Sequence, residues 1–314
     1  MKKFPLAHTY SIIARDPETG EFGGAVQSHW FSVGSVVLWA EAGIGVVATQ
    51  AMAKISYGPL GLNLMKAGIS STDALKALLS TDPLAEVRQV AMIDAQNRVS
   101  THTGKRCMEA AGHSVGEVFS VQANMMANPT VWPAMAEAYL GTKGDLVDKL
   151  LAAMDAAQAS GGDIRGQQSA ALMVVSGKPT PETWNDRIYD LRVEDHPAPL
   201  QELRRLVRIQ RAYNEMNQGD TYLARGDTPA ALAAYSSAAQ LAPEMIEIPF
   251  WHAVTLADLG QREEALSIFR RVFTENPDWA TLLKRLPPVG MVKMSPEEVD
   301  QVIQLALAAN SRHD

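Results

Sequence analysis

The sequence has a single cysteine, no long apolar run and fewer basic than acidic residues. Cys107 stands alone among the 314 residues, which excludes an internal disulfide and a cysteine-based metal cluster. No apolar run approaches the roughly 18 residues that a membrane-spanning helix needs. The formal net charge of −7 argues against non-specific nucleic-acid binding, which requires a basic surface. We therefore expect a cytoplasmic protein with no membrane and no nucleic-acid partner.

The chain does contain enough apolar residues, 46% of the total, to build a buried core, and its length suggests two domains. A boundary is predicted at His196-Pro197-Ala198-Pro199, because two prolines this close disfavour both helix and strand. Residues 1–197 are predicted to form a domain in which strands and helices alternate in blocks. This order favours an α+β class with helices packed on the outer faces of the sheets. Residues 198–314 are predicted to be helical.

The predicted elements of the first domain start with a hairpin. Pro17 and Gly20 favour a turn, because proline presets one backbone dihedral and glycine permits a positive one. Apolar runs predict strands at residues 10–14, 21–27, 35–39, 44–49, 89–94, 98–103, 117–122, 169–176 and 187–193. The predicted helices are one capped by Ser71 or Thr72, one over residues 133–140 and one that begins near Asp145.

The second domain contains a repeat of 34 residues. Small and aromatic residues recur with this period, and the pairs include Gly226 and Gly260, Ala231 and Ala265, and Tyr235 and Phe269. The spacing and the residue sizes match the tetratricopeptide pattern of paired helices. Stacked helix pairs form a concave surface, so we expect a protein partner there, and we also expect a homodimer.

A final helix is predicted to begin at Ser295. Ser295 is the N-cap, Pro296 occupies the first turn, and Glu298 completes a capping box. The apolar positions expected to pack on the preceding repeat are Val299, Val302, Ile303 and Leu307. Such a helix covers the open end of a short repeat array.

Several separate motifs of the first domain resemble one bacterial family. They are Thr9-Tyr-Ser-Ile-Ile-Ala-Arg-Asp-Pro-Glu-Thr-Gly-Glu-Phe-Gly, Gly45-Val-Val-Ala-Thr-Gln-Ala, Tyr57-Gly-Pro-Leu-Gly, Val121-Gln-Ala-Asn-Met, Gly162-Asp-Ile-Arg-Gly-Gln-Gln-Ser-Ala-Ala and Asp190-Leu-Arg-Val-Glu-Asp-His-Pro. The family is called domain of unknown function 1028, and the resemblance covers roughly residues 8–197. It is grouped with the N-terminal-nucleophile (Ntn) hydrolases, which implies a four-layer αββα sandwich with two antiparallel sheets inside.

The resemblance also implies a type of catalysis. An Ntn hydrolase uses a Thr, Ser or Cys at the start of the first strand, and the free α-amino group of that residue is the general base. A hydroxyl needs such a base to become a good nucleophile, and an α-amine with a pKa of roughly 8 is suitable. Thr9 lies where this nucleophile is expected. The implied activity is hydrolysis of an amide bond in a small molecule or peptide.

Two features depart from the Ntn pattern. Residues 1–8 precede Thr9, and while they are attached its nitrogen is a non-basic amide. Either these residues are removed, or the chain starts later, or the domain does no Ntn chemistry and is an inactive binding module that uses the helical repeats. In addition, the lysine that often supports the threonine is missing from the predicted strand at 35–39, and Lys54 is the nearest candidate.

Further candidate residues lie at the ends of predicted strands. Gln50 and Asn124 could donate to an oxyanion, or they could satisfy backbone groups, as buried amides commonly do. Arg165 could grip an anionic substrate group, or it could pair with Asp163 in the same loop. Ser28, which directly follows the second predicted strand, is a further substrate-binding candidate.

The remaining titratable groups predict neither a metal site nor a cofactor. His29, His102 and His113 lack the spacing of metal ligands on a helix. Cys107 follows Lys105 and Arg106, which could lower the pKa of its thiol, although a cysteine without partners is more often inert.

Overall fold

The computed structural model describes residues 6–308. The chain divides into two compact units, one that ends at Leu206 and one that begins at Val207. In chain order the strands are β1 (Leu6–Ala7), β2 (Thr9–Arg15), β3 (Phe22–Ser28), β4 (Leu38–Glu41), β5 (Gly45–Met52), β6 (Arg88–Asp94), β7 (Val99–Thr103), β8 (Gly112–Val115), β9 (Phe119–Ala123), β10 (Ser169–Val175) and β11 (Arg187–Val193).

The helices, also in chain order, are α1 (Tyr57–Lys66), α2 (Ser71–Ser80), α3 (Val131–Gly141), α4 (Leu146–Ala159), α5 (Pro199–Ala224), α6 (Thr228–Leu241), α7 (Glu247–Asp258), α8 (Arg262–Glu275), α9 (Asp278–Lys284) and α10 (Pro296–Ala308). The division between the two units falls within α5. No helix of residues 6–308 has both the length and the apolar character needed to cross a membrane.

Two antiparallel sheets form the centre of the first unit. The first sheet has the order β1-β5-β6-β7, with β4 also paired to β5, and the second has the order β11-β10-β3-β2-β9-β8. Apolar residues that alternate along the strands meet between the sheets, among them Ile13 and Val26 from the second sheet and Val46 and Ile93 from the first. The first sheet also carries apolar residues on its other face, Val47, Val90 and Met92, and these need a helical layer to bury them.

Helices cover the outer face of each sheet. Leu62 of α1 and Leu75 of α2 pack with Val90 and Met92 of the first sheet. On the second sheet α4 lies so close to Gly23 that a Cβ there would be 2.9 Å from Cδ1 of Leu150. The predicted four-layer αββα sandwich is thereby confirmed.

The hairpin of β2 and β3 sets the register that matters for the candidate site. The Asp16 carboxylate accepts the backbone N–H of Glu18 at 2.8 Å, and Gly20 has φ of 77°, so a short polar turn is formed as predicted. From this turn the strands pair back to Thr9, which lies directly opposite Ser28.

One predicted strand is misplaced. Residues 35–39 were expected to be extended, but a turn of 3-10 helix spans Val33–Ser35, and β4 begins only at Leu38. The Ser35 hydroxyl donates to the carbonyl oxygen of Ser32 at 2.7 Å. Such local side-chain hydrogen bonds compete with strand pairing. The apolar run did not reveal this competition, and the motifs also gave no strand at β8 and no helix at α1.

The cap of α2 also differs from the prediction. Ser70, rather than Ser71 or Thr72, is the N-cap, and its hydroxyl accepts the backbone N–H of Asp73 at 3.0 Å. Ser71 lies inside the helix, where its own backbone N–H donates to the buried carboxylate of Asp94. Three hydroxyl residues follow one another here, and the contact to Asp94 lies at the first helical residue.

The second unit contains the repeated helix pairs. Tyr235 in α6 and Phe269 in α8 are buried at equivalent positions, and Gly226 and Gly260 have φ of 77° and 79° in the turns before these helices. Only glycine adopts this conformation without cost. The repeat period therefore reflects equivalent burial and equivalent turns.

The capping box at α10 is formed as predicted. The backbone N–H of Ser295 donates to the Glu298 carboxylate at 2.9 Å, and the Ser295 hydroxyl accepts the N–H of Glu298. Val299, Val302 and Ile303 are buried as expected, but Leu307 is 42% exposed and Ala306 is buried instead. The helical period places 299, 302, 303 and 306 on one side, whereas 307 is turned away from it.

Candidate functional site

Thr9 begins β2 at the end of the second sheet. It has no exposed surface, and its nitrogen is in the peptide bond to His8. Ser28, the last residue of β3, lies opposite Thr9, and Ser169, the first residue of β10, lies opposite Ser28. Three hydroxyl residues are therefore aligned at one sheet end. In the chain as it stands, Thr9 is out of reach of any dissolved substrate.

The carbonyl group immediately before Thr9 receives two hydrogen bonds. The Ser28 hydroxyl donates to the carbonyl oxygen of His8 at 2.6 Å, and Nη2 of Arg165 donates to the same oxygen at 2.8 Å. Donors at these distances polarise a carbonyl and stabilise negative charge on its oxygen. The carbonyl concerned belongs to the bond whose cleavage would free the amine of Thr9.

Arg165 is held in place by Asp163, which follows the end of α4. Nε of Arg165 lies 3.0 Å from Oδ1 of Asp163, and Nη2 lies 2.7 Å from Oδ2. The Asp163 side chain is completely buried, and it also accepts the backbone N–H of His29 at 3.2 Å. Pairing of Arg165 with Asp163, one of the two predicted alternatives, is therefore confirmed. One of the remaining N–H groups of Arg165 is directed to the carbonyl oxygen of His8.

The predicted amides lie beside Thr9 but donate to its own carbonyl. Nε2 of Gln50 is 3.1 Å from the carbonyl oxygen of Thr9 and 2.7 Å from Oε1 of Gln89. Nδ2 of Asn124 is 3.4 Å from the same carbonyl oxygen and 2.9 Å from Oε1 of Gln89. These contacts satisfy buried polar groups and fix the main chain at the start of β2.

Lys54 does not join this group. Its ammonium lies 3.6 Å from the Asp82 carboxylate and 5.1 Å from the centre of the Tyr57 ring. Asp82 also receives a hydrogen bond of 2.9 Å from the fully buried Arg88. A carboxylate and an aromatic face attract a cation, so Lys54 belongs to a separate charged cluster.

Two residues of the site were missed by the sequence reasoning. His8 is 4% exposed, and its Nδ1 lies 2.8 Å from Oδ1 of Asn124. Gln89 is fully buried in β6 and links Gln50 to Asn124. A glutamine inside the apolar run of β6 is a signal that could have been used, because a buried amide needs partners.

The thiol of the lone cysteine is less acidic than usual, although its basic neighbours suggested that it would be more acidic. Burial raises the pKa of the Cys107 thiol to about 11. The thiol donates to the carbonyl oxygen of Arg88 at 3.3 Å. Lys105 and Arg106 are exposed, so solvent weakens their effect on the thiol. Cys107 is therefore protonated at neutral pH and is a poor nucleophile.

The sandwich and the residues around Thr9 together define an αββα protein with a polar cluster at one sheet end. The model of a family described as "Family of unknown function (DUF1028)" matches residues 9–203, and the chain belongs to this family. A tetratricopeptide repeat model matches residues 222–286.

A solved structure also links this chain to the same family. The crystal structure of a protein from Silicibacter pomeroyi, described with the same family, is similar at 30% sequence identity and a TM-score of 0.57. The similarity covers 63% of this chain and 87% of the Silicibacter chain. No curated protein matches this sequence.

Proposed function

We propose that this protein is an Ntn-type amidohydrolase that frees Thr9 by cleaving its own His8–Thr9 bond. The observation that carries the proposal is the pair of hydrogen bonds, from Ser28 and Arg165, to the carbonyl oxygen of His8. A peptide carbonyl followed by a hydroxyl residue and held by two donors is prepared for attack. The buried state of Thr9 is then the state before activation.

The self-cleavage proceeds in two steps, a shift of the acyl group from nitrogen to oxygen and then hydrolysis of the resulting ester. The Thr9 hydroxyl oxygen attacks the carbonyl carbon of His8, and negative charge develops on the oxygen that Ser28 and Arg165 contact. The carbon–nitrogen bond breaks, and the hydroxyl proton ends on the nitrogen of Thr9, which leaves an ester on the Thr9 oxygen. Water then hydrolyses this ester, which restores the hydroxyl and releases residues 1–8 with a carboxylate at His8.

The freed Thr9 would then act on other amide bonds. Its α-amine takes the hydroxyl proton as general base, because the same residue now carries both groups. A substrate carbonyl would take the position left by that of His8, so we assign oxyanion binding to Ser28 and Arg165. Gln50 and Asn124 keep the main chain of Thr9 in position. Asp163 orients Arg165 and offsets its positive charge.

Intact-mass measurement and N-terminal sequencing of the purified full chain test the proposal. We expect a chain that begins at Thr9 and a released peptide of residues 1–8. Thr9→Ser should still cleave, because the hydroxyl is kept, whereas Thr9→Ala should stay intact. Thr19→Ala, in the exposed turn, is the matched control and should cleave like the unaltered chain.

The assay separates self-cleavage from contamination. Loss of residues 1–8 from Thr9→Ala at the unaltered rate would mean that another protease removes them. The cleaved protein is then screened with peptide and small-molecule amides. Turnover that depends on Thr9 supports hydrolysis, and a fully cleaved chain with no turnover on any amide refutes the second half of the proposal.

A second candidate function is favoured by the predicted helical domain at residues 198–314. A groove of about 640 Å³ is lined by aromatic and apolar side chains, two carboxylates and a lysine, among them Tyr235, Trp251, Asp220, Asp258 and Lys293. Aromatic anchors beside carboxylates suit a peptide that carries both apolar and basic residues. In this alternative the sandwich is catalytically silent and the protein works as an assembly module.

Cross-linking and light scattering of the full chain distinguish this alternative. Trp251→Ala should abolish a specific partner complex or self-association, and Trp184→Ala, which changes an exposed tryptophan of the first unit, is the control. Equal complexes in both variants would exclude the groove as the binding surface.

A further inference from the structure

Two backbone carbonyl groups determine which side-chain atoms around Asn124 donate and which accept hydrogen bonds. Nε2 of Gln89 lies 3.1 Å from the carbonyl oxygen of Gly112 and 2.9 Å from that of Ala123. Backbone carbonyls only accept, so this atom must be the amide nitrogen of Gln89. Oε1 of Gln89 is therefore an acceptor, and the amide groups of Gln50 and Asn124 donate to it.

The same assignment of donors and acceptors extends to the side chain of His8. Because Nδ2 of Asn124 points to Gln89, Oδ1 of Asn124 is the atom that faces His8, at 2.8 Å from Nδ1. An amide oxygen only accepts, so Nδ1 of His8 must carry the proton. Asn124 therefore requires a hydrogen-bond donor at the position that Nδ1 of His8 occupies.

The rest of the environment disfavours a positive charge on that side chain. Nε2 of His8 is buried and has no hydrogen-bond partner among residues 6–308. Burial lowers the pKa of His8 and the charge of Arg165 adds to the lowering, whereas the hydrogen bond to Asn124 and the charge of Asp163 oppose it. The imidazole is thus held as the neutral tautomer with its proton on Nδ1.

A cavity of about 270 Å³ adjoins the ring of His8. Apolar atoms of Met52, Val87 and Met108 form much of its wall, and Arg106 lies on its lining as well. Arg106 is exposed, and no ion pair joins it to a carboxylate within residues 6–308. A cationic side chain in this space would meet the repulsion of Arg106.

The backbone that leads to His8 is held as an added strand. Leu6 pairs with Met52 and Ala7 pairs with Ala51, both in antiparallel register at the end of β5. When residues 1–8 leave, the backbone groups of Ala51 and Met52 lose these partners. An extended peptide can replace them by strand addition, with main-chain hydrogen bonds for affinity and a side-chain pocket for specificity.

We propose that this cavity and Asn124 form the specificity site for the residue on the acyl side of the cleaved bond. The substrate class is a peptide or peptide-like amide whose acyl-side residue is neutral and donates an N–H at the position of His8 Nδ1. Asparagine and neutral histidine meet this requirement, since the amide nitrogen of asparagine corresponds to Nδ1 of histidine. The inference rests on the proposed hydrolysis by Thr9 and goes beyond it by naming what the enzyme selects.

Variants of His8 in the full chain give the first test. His8→Asn keeps the donor, and His8→Leu and His8→Asp, which are close to asparagine in shape, remove it. Self-cleavage of His8→Asn should stay within about threefold of the unaltered rate. His8→Leu should be about tenfold slower, because Oδ1 of Asn124 loses its partner, and His8→Asp slower still, because two acceptors face each other.

Equal cleavage of the asparagine and leucine variants would overturn the inference. Should all variants, and the unaltered chain, fail to cleave, the same series is repeated in Thr9→Ala by hydrogen exchange of the Leu6–Ala7 strand. There the asparagine variant should protect these amides as histidine does, and the leucine variant should protect them less. Equal protection in both would again refute side-chain recognition by Asn124.

A panel of peptide amides tests the cleaved protein. Acyl-side asparagine or histidine should be hydrolysed with kcat/KM at least about tenfold above leucine, and lysine should be the poorest. Hydrolysis of all four residues at similar rates would refute the specificity and leave the proposed function intact. No hydrolysis of any of them by a chain that begins at Thr9 would refute the proposed function itself.

Discussion

The guanidinium of Arg165 donates a hydrogen bond of 2.8 Å to the carbonyl oxygen of His8, although the two residues are 157 positions apart. The side chain of Arg165 is oriented by two contacts to the buried carboxylate of Asp163. A cation fixed by a buried anion is a rigid donor, which is what stabilisation of a developing oxyanion requires.

Arg165→Met should slow the removal of residues 1–8 by about 100-fold or more, the usual effect of losing one oxyanion donor. The rate is read by intact mass. Arg187→Met is the control, because Arg187 pairs with Asp190 at an exposed strand edge and should leave the rate unchanged. If both variants cleave at the unaltered rate, Arg165 has no part in the reaction.

Arg88→Met should lower the free energy of unfolding by about 3–5 kcal/mol, because it leaves the Asp82 carboxylate buried without its main partner. The two side chains are 2% and 3% exposed and lie 2.9 Å apart. Lys66→Met, which breaks an exposed ion pair with Glu41, should cost at most about 1 kcal/mol. Urea denaturation measures both variants, and equal losses would contradict the buried-pair explanation.

The uncleaved chain should lose stability as the pH falls below about 6.5, and His8 should account for part of the loss. Burial lowers the pKa of folded His8 from 6.5, so the unfolded chain binds a proton that the folded chain refuses. Stability is therefore complete above the unfolded pKa and declines as the pH falls from there towards the folded pKa.

Thermal unfolding of Thr9→Ala is compared with that of Thr9→Ala/His8→Asn at several pH values. The two proteins differ only at residue 8, so the difference between their profiles isolates His8. We expect a shallower pH dependence in the double variant. Identical profiles would show that His8 is not held neutral by the fold.

Ser295→Ala should destabilise the protein by about 1 kcal/mol, because it removes the hydroxyl that accepts the N–H of Glu298 at the start of α10. Ser267→Ala, at an exposed position within α8, should change stability by less than about 0.5 kcal/mol. Chemical denaturation monitored by helical circular dichroism compares the two. A neutral Ser295→Ala would mean that the last helix is fixed by packing alone.

Much of the fold could be predicted because its signals are local. The turn at Gly20 and the capping box at Ser295 are each set by residues within a few positions of one another. The misplaced strand at 35–39 and the cap at Ser70 also lie in local sequence, but there several conformations compete and a distant partner such as Asp94 decides. Leu307 was predicted to be buried, but it lies at the edge of the buried face of the last helix and Ala306 is buried instead.

The sequence by itself determined the two kinds of architecture, the repeat period and the place of Thr9 at the start of a strand. These depend on periodicity, turn residues and motifs, which the chain carries in order. Only the tertiary structure decided that Ser28 and Arg165 meet at the carbonyl of His8, and that Asn124 faces its ring. Hydrogen bonds between residues far apart in sequence depend on how the sheets stack and on which way each amide points, and neither leaves a periodic trace in the chain.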